Sequence, residues 1–173
     1  MSEQSFEACI TRLFTIDKNG IAGTGFLVSE KYAITCAHVV AKALRIPEND
    51  CNKPDGKLYL GVPHHRLEIE AEVEIWHPVL PNFKEGYSDI AILKLLNKLP
   101  SCIQPMVISE QNFREHPFRT YGFPTGFDRS SLAQGKIVGN PLGDRVEVEC
   151  EQDKCIEPGF SGAPIWDETS MAP

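Results

Sequence analysis

The chain has 173 residues, 42% of them hydrophobic, and a formal charge of −7 at neutral pH. That size and apolar content support a real core, arranged as one ordinary domain or two small lobes. Lys and Arg are scattered rather than clustered, so nucleic acid is not an expected partner. No run approaches the roughly 18 apolar residues of a membrane span, so no membrane association is expected either.

The first residues, Met1 to Glu7, carry neither the basic start nor the apolar run of a secretory signal, which points to a cytoplasmic protein. Glycines and prolines then divide the chain into short segments rich in β-branched and aromatic residues, an all-β signature. Strands are expected at Ile10–Ile16, Gly23–Val28, Tyr32–Thr35, Lys57–Val62, Glu68–His77 and Asp89–Leu95, with Asn19-Gly20 as a hairpin turn between the first two. Val39–Leu44 is the best short helix. Leu67–Ile75 alternates apolar residues with Glu, the pattern of a strand with one buried face. After a polar connection at Ser109–His116, strands are expected at Phe118–Phe123, Leu132–Val138, Arg145–Glu151 and Ala163–Trp166.

The six cysteines, Cys9, Cys36, Cys51, Cys102, Cys150 and Cys155, form no C-x-x-C pair, and a chain of this length folds without staples, so they are read as reduced. Cys150 and Cys155 are near enough in sequence for a bridge across a hairpin. A metal shared between cysteines and His64-His65 is conceivable, but the spacing fits no zinc pattern, and no metal or cofactor is expected.

Three residues in order carry the chemistry: His38 after an apolar strand, Asp89 at the head of Asp89-Ile90-Ala91-Ile92-Leu93, and Ser161 in Gly159-Phe160-Ser161-Gly162-Ala163-Pro164. A serine hydroxyl needs a base to remove its proton, and the base needs a third group to hold its tautomer. Asp89, entering an apolar strand, needs a partner for its charge. Each residue alone has a plain structural reading, as a packed histidine, a turn-capping aspartate or a turn serine. The three together point to nucleophilic catalysis.

Gly23-Thr24-Gly25-Phe26-Leu27-Val28, a short turn and Ala33-Ile34-Thr35-Cys36-Ala37-His38 resemble the segment leading to the catalytic histidine of chymotrypsin-fold serine proteases, nearest to the bacterial Glu-specific and HtrA-type branches. The strand opened by Asp89 is similar to that of the family's triad acid, and the Ser161 segment to its nucleophile signature. The resemblance implies an all-β, chymotrypsin-like double β-barrel, with residues 1–108 as a lobe carrying His38 and Asp89, and 117–173 as a lobe carrying Ser161. It implies a serine endopeptidase acting on a protein or peptide: Ser161 as nucleophile, His38 as base, Asp89 orienting it, and the Gly159 and Ser161 amides as oxyanion hole. By family position the resemblance also implies that Cys155 and Ile156 fall at the floor of the specificity pocket, which favours a small or apolar side chain before the scissile bond.

Two departures matter. Phe160 stands where digestive enzymes place an Asp that pairs with a freshly cut N-terminus, so that activation route is not expected. Only twelve residues follow Ser161, too few to close a second barrel, so the chain is expected to be a truncated N-terminal domain of a larger intracellular protein, with a regulatory domain or partner chain completing the barrel. Two other readings remain: an inactive protease-like scaffold that binds peptides, and an esterase. Chain order opposes an α/β-hydrolase esterase, in which serine comes first.

Overall fold

The structure is a computed structural model describing residues 6–80, 88–108, 113–124, 129–139 and 146–169. Strands β1 (Ile10–Phe14), β2 (Ile21–Leu27), β3 (Tyr32–Thr35), β4 (Leu58–Val62), β5 (Leu67–His77) and β6 (Ile90–Leu95) form a closed barrel in the order β1-β2-β3-β6-β5-β4. Closure comes from antiparallel pairing of β1 with β4 at Arg12↔Gly61 and Leu13↔Leu60, which leaves the barrel no free edge. Alternate residues point inward, and Leu13, Leu27, Ala33, Leu60, Ile69, Ala71, Ala91 and Leu93 are buried together.

Helix α1 (Ala37–Leu44) adds Val39, Val40 and Ala43 to that core. It ends in a Schellman arrangement: Arg45 is left-handed at φ 58°, Arg45 N–H donates to Lys42 O at 3.4 Å and Ile46 N–H to Ala41 O at 3.0 Å. The helix starts two residues earlier than the sequence suggests, so His38 lies in its first turn rather than at a strand end.

Two other local expectations change. The alternation of β5 holds through Val73 and then breaks, because Val73 and Ile75 face the consecutive residues Leu93 and Ile92. The extra residue, Glu74, makes a bulge that turns Ile75 to solvent. The first hairpin does not turn on Asn19-Gly20 alone. Thr15 N–H donates to Gly20 O at 2.9 Å and Lys18 takes the left-handed φ of 56°. Asp17 Oδ1 accepts from Thr15 Oγ1 at 2.6 Å and from Asn19 N–H at 3.3 Å, so a side chain organises the loop.

The second part is an antiparallel four-stranded sheet of β7 (Pro117–Gly122), β8 (Ser131–Gly139), β9 (Glu147–Cys150) and β10 (Trp166–Asp167), in the order β10-β7-β8-β9. Of the expected strand Arg145–Glu151, Arg145 lies outside the described residues, as do Ser109–Asn112 of the connection. The strand expected at Ala163–Trp166 shrinks to Trp166–Asp167, since Pro164 has no N–H to offer a ladder. Phe123 and Trp166 join the barrel's own core cluster, and the Phe6 ring stacks at 4.9 Å on Trp166 and 5.7 Å from Tyr121.

The architecture is therefore all-β and chymotrypsin-like, with a closed first barrel and an incomplete second one. Among the described residues no helix is long and apolar enough to cross a membrane.

Candidate active site

The first turn of α1 has free N–H groups that need acceptors, and Cys36 at its N-cap supplies no side-chain cap. Asp89 fills the role. His38 N–H donates to Asp89 Oδ1 at 2.9 Å, and the His38 ring Nδ1 lies 2.8 Å from Oδ2. Facing a carboxylate, Nδ1 holds the proton, which leaves the lone pair on Nε2. Asp89 is left-handed at φ 69°, a conformation Asp tolerates better than most residues, and its own N–H is held by Pro78 O at 3.2 Å. The hydrogen bond to Asp89 raises the His38 pKa above its ordinary value, with partial burial working against it. The two side chains are 30% and 31% exposed, so the pair opens to solvent.

Ser161 follows a tight turn in which Phe160 N–H donates to Glu157 O at 3.1 Å. Pro158 second and Gly159 third, with Gly159 at φ 114°, match the requirements of a type II turn. A Cβ on Gly159 would stand 2.1 Å from Phe123 O, and one on Gly162, at φ 86°, 2.1 Å from Thr24 O. Only glycine fits at either place. Neither the Gly159 nor the Ser161 N–H has a backbone acceptor among the described residues, so two donors flank the serine. Phe160 is buried against Gly122, whose missing Cβ leaves room for its ring.

Two threonines join this loop to the barrel. Thr24 N–H donates to Ser161 O at 2.9 Å and Thr24 Oγ1 to Gly159 O at 2.7 Å, while Thr35 Oγ1 donates to Thr24 O at 2.6 Å. Both hydroxyls are buried. Cys36 adds a third tie, its thiol lying beside the Gly162 backbone N–H and the Asp89 carboxylate. Burial, then the Asp89 charge, push that thiol up to about 11. The Ser161-Gly162 segment thus packs against the residues that flank His38. Sequence reasoning missed Thr24, Thr35 and Cys36 as site residues. The visible signal was a hydroxyl set between two strand glycines, Gly23 and Gly25.

Cys155 and Ile156 are exposed on the turn after β9, and the Cys155 Sγ donates to Glu151 O at 3.3 Å. Cys150 and Cys155 are neighbours but unbridged, and all six cysteines are free. His64 and His65 meet edge-on at 6.0 Å. Among the described residues the one group of three potential metal ligands is instead Cys36, His38 and Asp89. A second histidine–carboxylate pair, His116 Nδ1 to Asp167 Oδ2 at 2.8 Å, fastens β10 to the start of β7.

The sequence matches the family of the trypsin-like peptidase domain over residues 23–171. No curated protein matches it in sequence. Among solved structures, an inactive mutant form of Rv3671c from M. tuberculosis H37Rv is similar at TM-score 0.63 and 18% identity, with 97% of this chain and 73% of that one covered. Deg5 is similar at TM-score 0.63 and 16% identity, covering 98% of this chain and 79% of that one. A serine endoprotease from Yersinia pestis is similar at TM-score 0.60 and 17% identity, covering 96% and 54%. At these identities the likeness is one of fold.

Proposed function

Because the chain belongs to the trypsin-like peptidase domain family, we propose that it is a serine endopeptidase with His38, Asp89 and Ser161 as its triad. Ser161 Oγ attacks the peptide carbonyl as His38 Nε2 takes its proton, and the imidazolium then protonates the leaving amine. Asp89 keeps the ring oriented and stabilises its charge. The Gly159 and Ser161 N–H groups receive the oxyanion, and water in the Ser role releases the acyl group. This chemistry runs on the chain's own residues. The observation that carries the reading is the double engagement of Asp89 with His38, through backbone N–H and ring Nδ1 at 2.9 and 2.8 Å.

Uncharged Cys155 and Ile156 form the pocket floor in this reading, which suits a small or apolar residue before the scissile bond. The open four-stranded sheet supports completion by a further segment or a partner chain, which would also be the means of control in an intracellular setting. The same open sheet favours a second reading, a peptide-binding scaffold without turnover. An esterase of the α/β-hydrolase type would need a parallel sheet, whereas among the described residues every strand pair of both sheets is antiparallel.

A fluorophosphonate probe separates the readings. Rapid covalent labelling of the chain and none of Ser161→Ala is expected. A folded chain that neither labels nor cleaves unstructured protein substrates would replace the peptidase with the scaffold.

A further inference from the structure

The Cys36 Sγ, a ring nitrogen of His38 and a carboxylate oxygen of Asp89 all lie within 4.8 Å of one another. Thiolate, imidazole and carboxylate are the three ligand types that zinc takes, and around a tetrahedral Zn²⁺ they stand about 3.3 to 3.6 Å apart. Closing the present spacing to that range needs side-chain shifts of about an ångström or less, on elements fixed by β3, α1 and β6. Two of the three also have outer groups beside them: the Gly162 N–H lies next to the Cys36 sulfur, and His38 N–H donates to Asp89 Oδ1 at 2.9 Å. Such second-layer groups orient metal ligands and hold their charged forms.

We propose that Cys36, His38 and Asp89 form a zinc site that switches the triad off. Zn²⁺ takes the place of the Nδ1 proton between His38 and Asp89, bonding Cys36 Sγ, His38 Nδ1 and one Asp89 oxygen, with water in the fourth position. The thiol proton goes to solvent. The ring proton leaves Nδ1 and the neutral imidazole carries its proton on Nε2 instead. With that nitrogen already protonated, His38 cannot accept the proton of Ser161. One dication, one thiolate, one carboxylate and a neutral ring sum to zero charge, a favourable total for a half-buried site. Zinc here is a reversible inhibitor rather than a cofactor. The binding stands on ligand geometry alone, whereas the inhibition rests on the proposed triad.

Co²⁺ serves as the optical probe and Zn²⁺ as the functional one. The Co²⁺-loaded chain is expected to show a near-ultraviolet thiolate-to-cobalt charge-transfer band and the strong visible bands of a four-coordinate ion. Ser161→Ala should give the same spectrum, which separates binding from catalysis. Cys36→Ala should abolish the charge-transfer band and weaken Zn²⁺ binding in calorimetry by about a hundredfold or more, losing one of three protein ligands. Cys36→Ser, closer in size, replaces it if circular dichroism shows that the alanine variant does not fold. Peptidase activity should fall in step with Zn²⁺ occupancy and return with a chelator. A missing thiolate band, or unweakened binding in the Cys36 variant, overturns the site. Full activity at full occupancy overturns the switch. If the metal-free chain has no activity at all, the peptidase reading fails, and the cobalt spectrum still decides the site.

Discussion

The two halves of the molecule are built to different standards of closure. The first is a sealed barrel in which every strand has two neighbours, and it fixes both His38 and Asp89. The second is an open sheet with β9 and β10 at its edges, and it carries Ser161 on a loop. In the proposed triad the base and acid are therefore set by the closed barrel, while the nucleophile takes its position from a few hydrogen bonds across to Thr24 and from the Cys36 contact. The proposed catalysis would depend on the less finished half borrowing order from the other.

The comparison breaks most sharply at Ser161. Ser161→Ala should lower kcat by about 10⁴-fold or more, since triad members act as a unit, and leave thermal unfolding of the barrel nearly unchanged. Steady-state cleavage of an unstructured protein substrate reads the first, and a melting curve the second.

Asp89→Asn tests the barrel's contribution on its own. It should cost about 10⁴-fold in kcat through the wrong ring tautomer and move the His38 pKa downward, because the hydrogen bond that raises it is lost. In the parent chain kcat/KM should rise with pH through an apparent pKa above the ordinary histidine value, as the base must be neutral. Stability runs the opposite way. A histidine whose folded pKa is raised contributes fully at pH below its unfolded value, and that contribution disappears as pH rises through the folded one. Parallel pH profiles of rate and of unfolding midpoint in the two proteins check both signs.

These contrasts also mark what was legible in the sequence. The bounds of β3 and the alternation of β5 up to Val73 were readable because barrel strands write their inward face at every second residue. The order of His38, Asp89 and Ser161 was equally plain. What was hidden depends on distant partners. The start of α1 moves because its acceptor, Asp89, is 51 residues away. The role of Thr24 shows only when a carbonyl 135 residues later arrives against it. The bulge at Glu74 and the shortened β10 come from pairing and from a missing proline donor, neither of which hydrophobic periodicity records.

A smaller effect is expected from rebuilding the nucleophile loop. Gly159→Ala places a side chain at φ 114°, worth about 1–2 kcal/mol of strain, and drives its Cβ into Phe123 O. Rotation of the Pro158–Gly159 peptide to relieve that contact would withdraw one oxyanion donor, for a loss of about 10²–10³-fold in kcat. KM should change little. A fall in fluorophosphonate labelling rate matching the fall in kcat is the expected signature. A loss of stability without any loss of rate would mean that the Gly159 N–H does not face the reaction.

The gentlest test falls on the tie between the halves. Thr24→Val keeps the shape of a wholly buried side chain but removes the hydroxyl that Gly159 O accepts from at 2.7 Å. Among the described residues that carbonyl then keeps the Phe123 N–H at 3.3 Å, and an under-satisfied buried acceptor costs about 1–3 kcal/mol. The Thr24 N–H to Ser161 O bond at 2.9 Å is made by backbone and survives. The loop should therefore loosen at its turn while Ser161 stays near the barrel, which predicts about a tenfold loss of labelling rate, the fold-change of roughly 1.4 kcal/mol. The His38 pKa should not move, because Asp89 and α1 belong wholly to the closed barrel. If it moves as far as in Asp89→Asn, the two halves are one cooperative unit and the base is as dependent on the open sheet as the nucleophile is.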